Sequence, residues 1–103
     1  MALKIGTFYQ RERHFEGTLE TRKLHDLGNI IIAPHEKTQE TSPDFLIKSD
    51  RYEIGRAWKH TSKDGSSEYL NVILDDPHMD EEIRARLVSH KDKHILLWER
   101  MTE

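Results

Sequence analysis

Apolar and polar residues alternate with period two along much of the chain. Phe15, Gly17, Leu19 and Thr21 share one parity, and Glu16, Thr18 and Glu20 share the other. From Tyr69 to Leu74, the residues Leu70, Val72 and Leu74 fall on one side, and Tyr69, Asn71 and Ile73 on the other. Alternation rich in β-branched and aromatic residues predicts half-buried strands. Lys4 to Gln10 reads the same way, with Ile5, Thr7 and Tyr9 on one side and Phe8 opposite. With Phe15 to Thr21 it forms a hairpin across Arg11-Glu12-Arg13-His14. Phe45 to Ser49 and Tyr52 to His60 form a second hairpin about Ser49-Asp50-Arg51. In its second strand, strict alternation puts Ile54, Arg56 and Trp58 together and Gly55 and Ala57 opposite. The run Ile30-Ile31-Ile32-Ala33 suggests a strand covered on both faces. Turns fall at Asp26-Leu27-Gly28-Asn29 and Asp64-Gly65-Ser66-Ser67, and a polar loop runs from His35 to Asp44, closed by Ser42-Pro43.

The segment after Pro77 carries two patterns. Asp80 suits a helix N-cap, with Glu81 and Glu82 in the first turn, Glu82 reaching Arg86 and Ile83 stacked on Leu87. Ile83, Ala85 and Leu87 also alternate with Arg84 and Arg86, as a strand paired with His94 to Arg100 would require. The expected fold is therefore all-β: a single antiparallel sheet of six or seven short strands, curled into a small barrel-like domain. The alternative is α+β, with one short helix at about 80–89.

The chain has 103 residues, which suits one domain spanning 1–103. A chain of this size buries roughly 60–65% of the surface that its unfolded form exposes. Only 35% of the residues are hydrophobic and 34% are charged, so the core is small and the eight aromatics are expected to matter to it. There is no cysteine, which excludes disulfides, thiolate zinc sites and cysteine nucleophiles. The start Met-Ala-Leu-Lys-Ile-Gly lacks a signal peptide's apolar run, and Ile30 to Pro34 is too short to span a bilayer. The expectation is a cytoplasmic protein without a membrane segment.

Net charge is −3, which argues against strong general attraction to nucleic acid. The charges are nonetheless segregated. Lys48, Arg51, Arg56, Lys59 and Lys63 face only Asp50 and Glu53 in the stretch 48–63, whereas Asp75, Asp76, Asp80, Glu81 and Glu82 crowd 75–82 without a Lys or Arg.

The basic stretch contains Trp58, and Tyr69 follows on the next strand. Aromatic rings among lysines and arginines stack bases while the cations follow phosphates. The simpler reading places Trp58 in the core beside Ile54 and leaves the lysines solvated. Asp75-Asp76-Pro77-His78 offers oxygen ligands for a divalent cation, but neighbouring strand residues point to opposite faces, and Asp before Pro is ordinary turn chemistry. His90 and His94 are four apart, but the residues between them read as a turn. No phosphate loop or nucleophile elbow is present. Trp98 is most simply core. No catalytic constellation, metal site or cofactor site is expected.

Several blocks resemble a family of small bacterial proteins known as domain of unknown function 736. They are Lys4-Ile5-Gly6-Thr7-Phe8, Gly17-Thr18-Leu19, Pro43-Asp44-Phe45, Glu53 to Ser62, and Tyr69 to Pro77. The Trp58-Lys59-His60-Thr61-Ser62 and Leu74-Asp75-Asp76-Pro77 blocks are the most specific. Arg22 to Ile32 departs from the family pattern. So does Asp80-Glu81-Glu82, where members usually carry prolines; prolines disfavour a helix there, which favours the strand reading of Ile83 to Val88. Members tend to sit on plasmids and integrative elements of proteobacteria, so the resemblance implies a mobile-element role without naming an activity.

The expected function is a non-enzymatic binding protein of a mobile genetic element, engaging single-stranded nucleic acid or a nucleoprotein through Arg56, Trp58, Lys59, Lys63 and Tyr69. The alternative is a protein-directed inhibitor or adaptor acting on a host defence nuclease, in the manner of an anti-CRISPR protein. It would dock through Asp75, Asp76, Asp80, Glu81 and Glu82. Sequence does not fix the oligomeric state.

Overall fold

The computed structural model describes residues 2–21, 27–76 and 81–99. It contains eight strands: β1 (Ala2–Arg11), β2 (His14–Leu19), β3 (Asn29–Pro34), β4 (Phe45–Ser49), β5 (Tyr52–Thr61), β6 (Glu68–Leu74), β7 (Ile83–His90) and β8 (Lys93–Glu99). Each pairs antiparallel with the next, and β8 returns to pair with β1, closing an up-and-down barrel. Closure satisfies the outer rows of backbone N–H and C=O groups that an open sheet would leave unpaired.

The strand count exceeds the expected six or seven because 83–90 is a strand and its hairpin partner completes the ring. The helix considered at about 80–89 does not form over 83–90. Ile83, Ala85 and Leu87 lie in register with Leu74, Val72 and Leu70, so the period-two set faces the interior as a unit. A helix would have swung Ala85 away from the other two. Asp80, the candidate cap, lies outside the described residues.

The interior is mostly aliphatic. Ile5, Leu19, Ile30, Ile32, Ile47, Ile54, Val72, Leu74, Leu87 and Leu96 are all buried, each large side chain contributing about 1.5–3 kcal/mol. Among the aromatics, Phe8 alone is fully buried, while Tyr9 and Tyr52 are exposed, so aromatic residues carry less of the core than composition implies. Trp98 packs against the core, as expected. Ile30 and Ile32 point inward, but Ile31 stands half-buried on the outer wall. The run is thus not covered on both faces; a one-layer barrel has no second layer to cover it.

Small residues make room for large ones across the ladders. Phe8 faces Gly17 directly, and a Cβ at position 17 would lie 2.0 Å from Thr7 O and 2.7 Å from Phe8 Cα.

Two register shifts help bend the sheet closed. One lies between Lys4 and Gly6 against β8, the other opposite Ile47 and Lys48, where β5 carries an extra residue. Extra residues of this kind kink a strand and raise its twist. In β5 the insertion also resets the alternation, with a consequence for the candidate site.

The two ends of the barrel differ. At one end Leu27, Ile83 and Trp98 pack against the core, and the Ser49 hydroxyl donates to Leu27 O at 2.7 Å. At the other, where β1 turns into β2, β5 into β6 and β7 into β8, polar side chains occupy inward positions. No helix among the described residues is long and apolar enough to cross a membrane.

Candidate nucleic-acid interface

Ile47 pairs with Gly55 and Lys48 with Glu53, so Ile54 is the extra residue. Ile54 and Gly55 are therefore both buried, and the next outward residue is Arg56. Strict alternation had joined Ile54 to Arg56 and Trp58. The bulge separates them: Ile54 is in the core, while Arg56, Trp58 and His60 stand on the outer wall. Trp58 thus does not take the core position beside Ile54. It is half-buried from outside, and its Nε1–H donates to Thr41 O at 3.1 Å.

The neighbouring strands extend this outer face. Trp58 is in register with Asn71, Arg56 with Ile73, and His60 with Tyr69. Across the next ladder, Asn71 meets Arg86 and Ile73 meets Arg84. The expected division of β6 holds, with Leu70, Val72 and Leu74 buried and Tyr69, Asn71 and Ile73 outside. The His60 imidazole stacks on the Tyr69 ring, centroids 5.8 Å apart. The Arg86 guanidinium lies 5.2 Å from the centroid of that same ring. Arg84 is held by Glu82, with Nη2 2.8 Å and Nε 2.9 Å from one carboxylate oxygen.

Three of the five expected contact residues, Arg56, Trp58 and Tyr69, share this face. Lys59 does not: it is in register with the buried Leu70 and belongs to the inward side at the open end. Lys63 is exposed in the β5–β6 turn. That turn is built on Asp64, whose carboxylate accepts from the Ser62 hydroxyl at 2.6 Å, the Ser66 N–H at 3.0 Å and the Ser66 hydroxyl at 2.7 Å. Those donors pull its pKa down to about 2. Asp44 ties the β3–β4 loop to β5: its N–H donates to Ala57 O at 2.9 Å and its carboxylate accepts the Lys59 N–H at 2.8 Å. The Lys59 N–H holds its pKa below the usual carboxylate value against an opposing cost of burial, with the Lys37 ammonium at 3.4 Å adding to the lowering.

Arg84 and Arg86 were not among the expected contacts. The signal was in the sequence, since Arg84 and Arg86 form the outer parity of 83–87. Only the β6–β7 register, however, brings them beside Tyr69.

The acidic segment is partly engaged. Asp75 is exposed, its N–H donating to Ile54 O at 2.8 Å, and Glu81 is exposed. Glu82 is occupied by Arg84, and Asp76 has a partner. Pro77, His78 and Asp80 lie outside the described residues. Among those described, no three His, Asp or Glu side chains gather as a metal site would need.

Residues 4–101 match the family described as "Protein of unknown function (DUF736)". The chain belongs to that family. The match takes in every block on which the resemblance rested, and the Arg22 to Ile32 stretch as well. No curated protein and no solved structure matches the chain.

Proposed function

We propose that this protein is a non-enzymatic binding protein of a mobile genetic element that engages single-stranded nucleic acid through the outer face of β5, β6 and β7. The observation that carries the reading is the convergence of three rings and three guanidinium groups there. Trp58, His60 and Tyr69 lie on adjacent strands with Arg56, Arg84 and Arg86. Bases stack on such rings for about 1–3 kcal/mol each, without reading sequence. Among the described residues Arg56 and Arg86 form no salt bridge with a carboxylate, so a phosphate meets less competition there than at Arg84. The bond to Thr41 holds the Trp58 ring in place and lowers the cost of ordering it on binding.

The overall charge of −3 opposes long-range attraction, so binding is local and moderate. The two arginine–phosphate contacts at Arg56 and Arg86 on a single strand give a slope of log K against log salt of about −1.4. The test is fluorescence anisotropy with a short labelled single strand over a salt series, with the matching duplex as a comparison. Single-strand binding with that slope, weakened by Arg86→Ala, supports the reading. Absent or salt-independent binding overturns it. So does a nuclease-resistant protein complex lost on reversing the charges of Glu81 and Glu82, which would move the function to the acidic segment.

A further inference from the structure

At the open end of the barrel, the inward positions carry Gln10, Phe15, Phe45, Lys59, Glu68 and His94, and these line a cavity of about 200 Å³. Eight strands enclose just enough space to be filled by side chains or to hold one small ligand. In this barrel one half is filled with aliphatic residues and the other is left open. The inward positions next to Leu70 and Phe8 are Lys59 and His94, where leucines would have closed the space.

The cavity has an aromatic wall. Phe15 stands edge-on to Phe45, with centroids 6.0 Å apart and planes at 60°, and to His94, at 4.8 Å and 70°. His94 Nδ1 is sealed from solvent and has no hydrogen-bond partner among the described residues. A proton there would be a buried, unsatisfied donor, so the neutral ring with hydrogen on Nε2 is the favoured form. Arg13 and Lys59 contribute two cations to the lining, and Glu68 contributes one carboxylate.

We propose that this mouth binds a single planar ring bearing an anionic group. A closed cavity of roughly 150 Å³ holds one benzene ring, so this volume takes one ring and leaves the anion-bearing part of the ligand at the open mouth. The rings of Phe15, Phe45 and His94 would pack against the ligand ring edge-on or offset. Arg13 and Lys59 would pair with the anion, and the Glu68 carboxylate would offset part of that attraction. The site lies inside the barrel and does not depend on the outer face, although Tyr69 borders both. The ring and its anion have two sources: a free aromatic acid or mononucleotide, or the phosphorylated terminal nucleotide of a strand.

The experiment is amide chemical-shift mapping and calorimetry with the full chain. Probes are benzoate, a nucleoside 5′-monophosphate, a 5′-phosphorylated and an unphosphorylated single strand, acetate and benzylammonium. The ring anions should shift Phe15, Phe45 and His94, and acetate should not. Lys59→Gln should weaken binding about ten-fold, and Glu68→Gln should strengthen it. Response to the free acids identifies a small-molecule source; response confined to the phosphorylated strand identifies a strand end. Failure of every ring anion to shift the mouth at millimolar concentration overturns the proposal. So does tighter binding of benzylammonium that is lost in Glu68→Gln and kept in Lys59→Gln. Neither result bears on strand binding at Arg56 and Arg86.

Discussion

The imidazole of His60 lies nearly parallel to the ring of Tyr69, at 19°, one strand away on the outer wall of the barrel. Arg86, from the strand beyond, stands over that ring as well. Three strands therefore each supply one member of a flat group beside Trp58. The arrangement exists because β5 gains a residue opposite Ile47 and Lys48, which turns Arg56, Trp58 and His60 outward together.

Tyr69→Ala removes the ring at the centre of that group. Affinity for single strands should fall by about 1–3 kcal/mol, roughly five- to more than a hundred-fold. Tyr69→Phe keeps the stacking surface and should stay close to the parent. Anisotropy titrations at fixed salt measure both, and melting curves confirm that each variant is folded.

Gly17→Ala places a methyl group 2.0 Å from Thr7 O and 2.9 Å from the Phe8 ring. Backbone contact cannot be relieved by a rotamer change, so β1 and β2 must separate locally. Destabilisation of at least about 1–3 kcal/mol is expected, read from denaturant unfolding. Gly28 and Gly65 have open space around them but positive φ, 69° and 74°, so alanine there costs only about 1 kcal/mol of backbone strain.

Burial makes His94 harder to protonate in the barrel than in the unfolded chain. As pH falls below 6.5, its ordinary value, the unfolded chain takes up the proton first, and stability drops. This contribution is complete above that pH and is lost on acidification. Arg13 and Lys59 line the same mouth and oppose the added charge, while Glu68 favours it. Asp44 and Asp64 act lower: their depressed values stabilise the barrel above 3.8, and Asp64's share disappears as pH falls toward about 2. The denaturation midpoint should fall between about pH 7.5 and about pH 5.5, and fall less in His94→Phe.

Trp58→Phe keeps an aromatic ring but deletes the donor to Thr41 O. A loss of about 0.5–1.5 kcal/mol is expected, with faster amide exchange in the β3–β4 loop around Thr41 and Ser42.

Alternation alone was enough to read β2 and β6, where every inward and outward assignment agrees with the structure. It failed within β5 because an extra residue shifts the phase, and no local pattern in Glu53-Ile54-Gly55-Arg56 marks where that happens. At 83–87 both periods fit, and the strand wins through a non-local partner, the Leu70, Val72 and Leu74 face of β6. The same non-locality hid half of the candidate site. Arg84 and Arg86 are fifteen or more residues from Tyr69 in sequence, and only the β6–β7 register brings them together. Lys59 was misplaced by adjacency: it follows Trp58 in the chain and therefore points the other way.

The most direct test is amide chemical-shift mapping with a short unphosphorylated single strand. Shifts should concentrate at Arg56, Trp58, His60, Tyr69, Asn71, Arg84 and Arg86, and fade as salt is raised. Shifts confined to the opposite wall, around Thr7, Glu16 and Thr18, or none with any single strand at low salt, would contradict a nucleic-acid face on β5, β6 and β7.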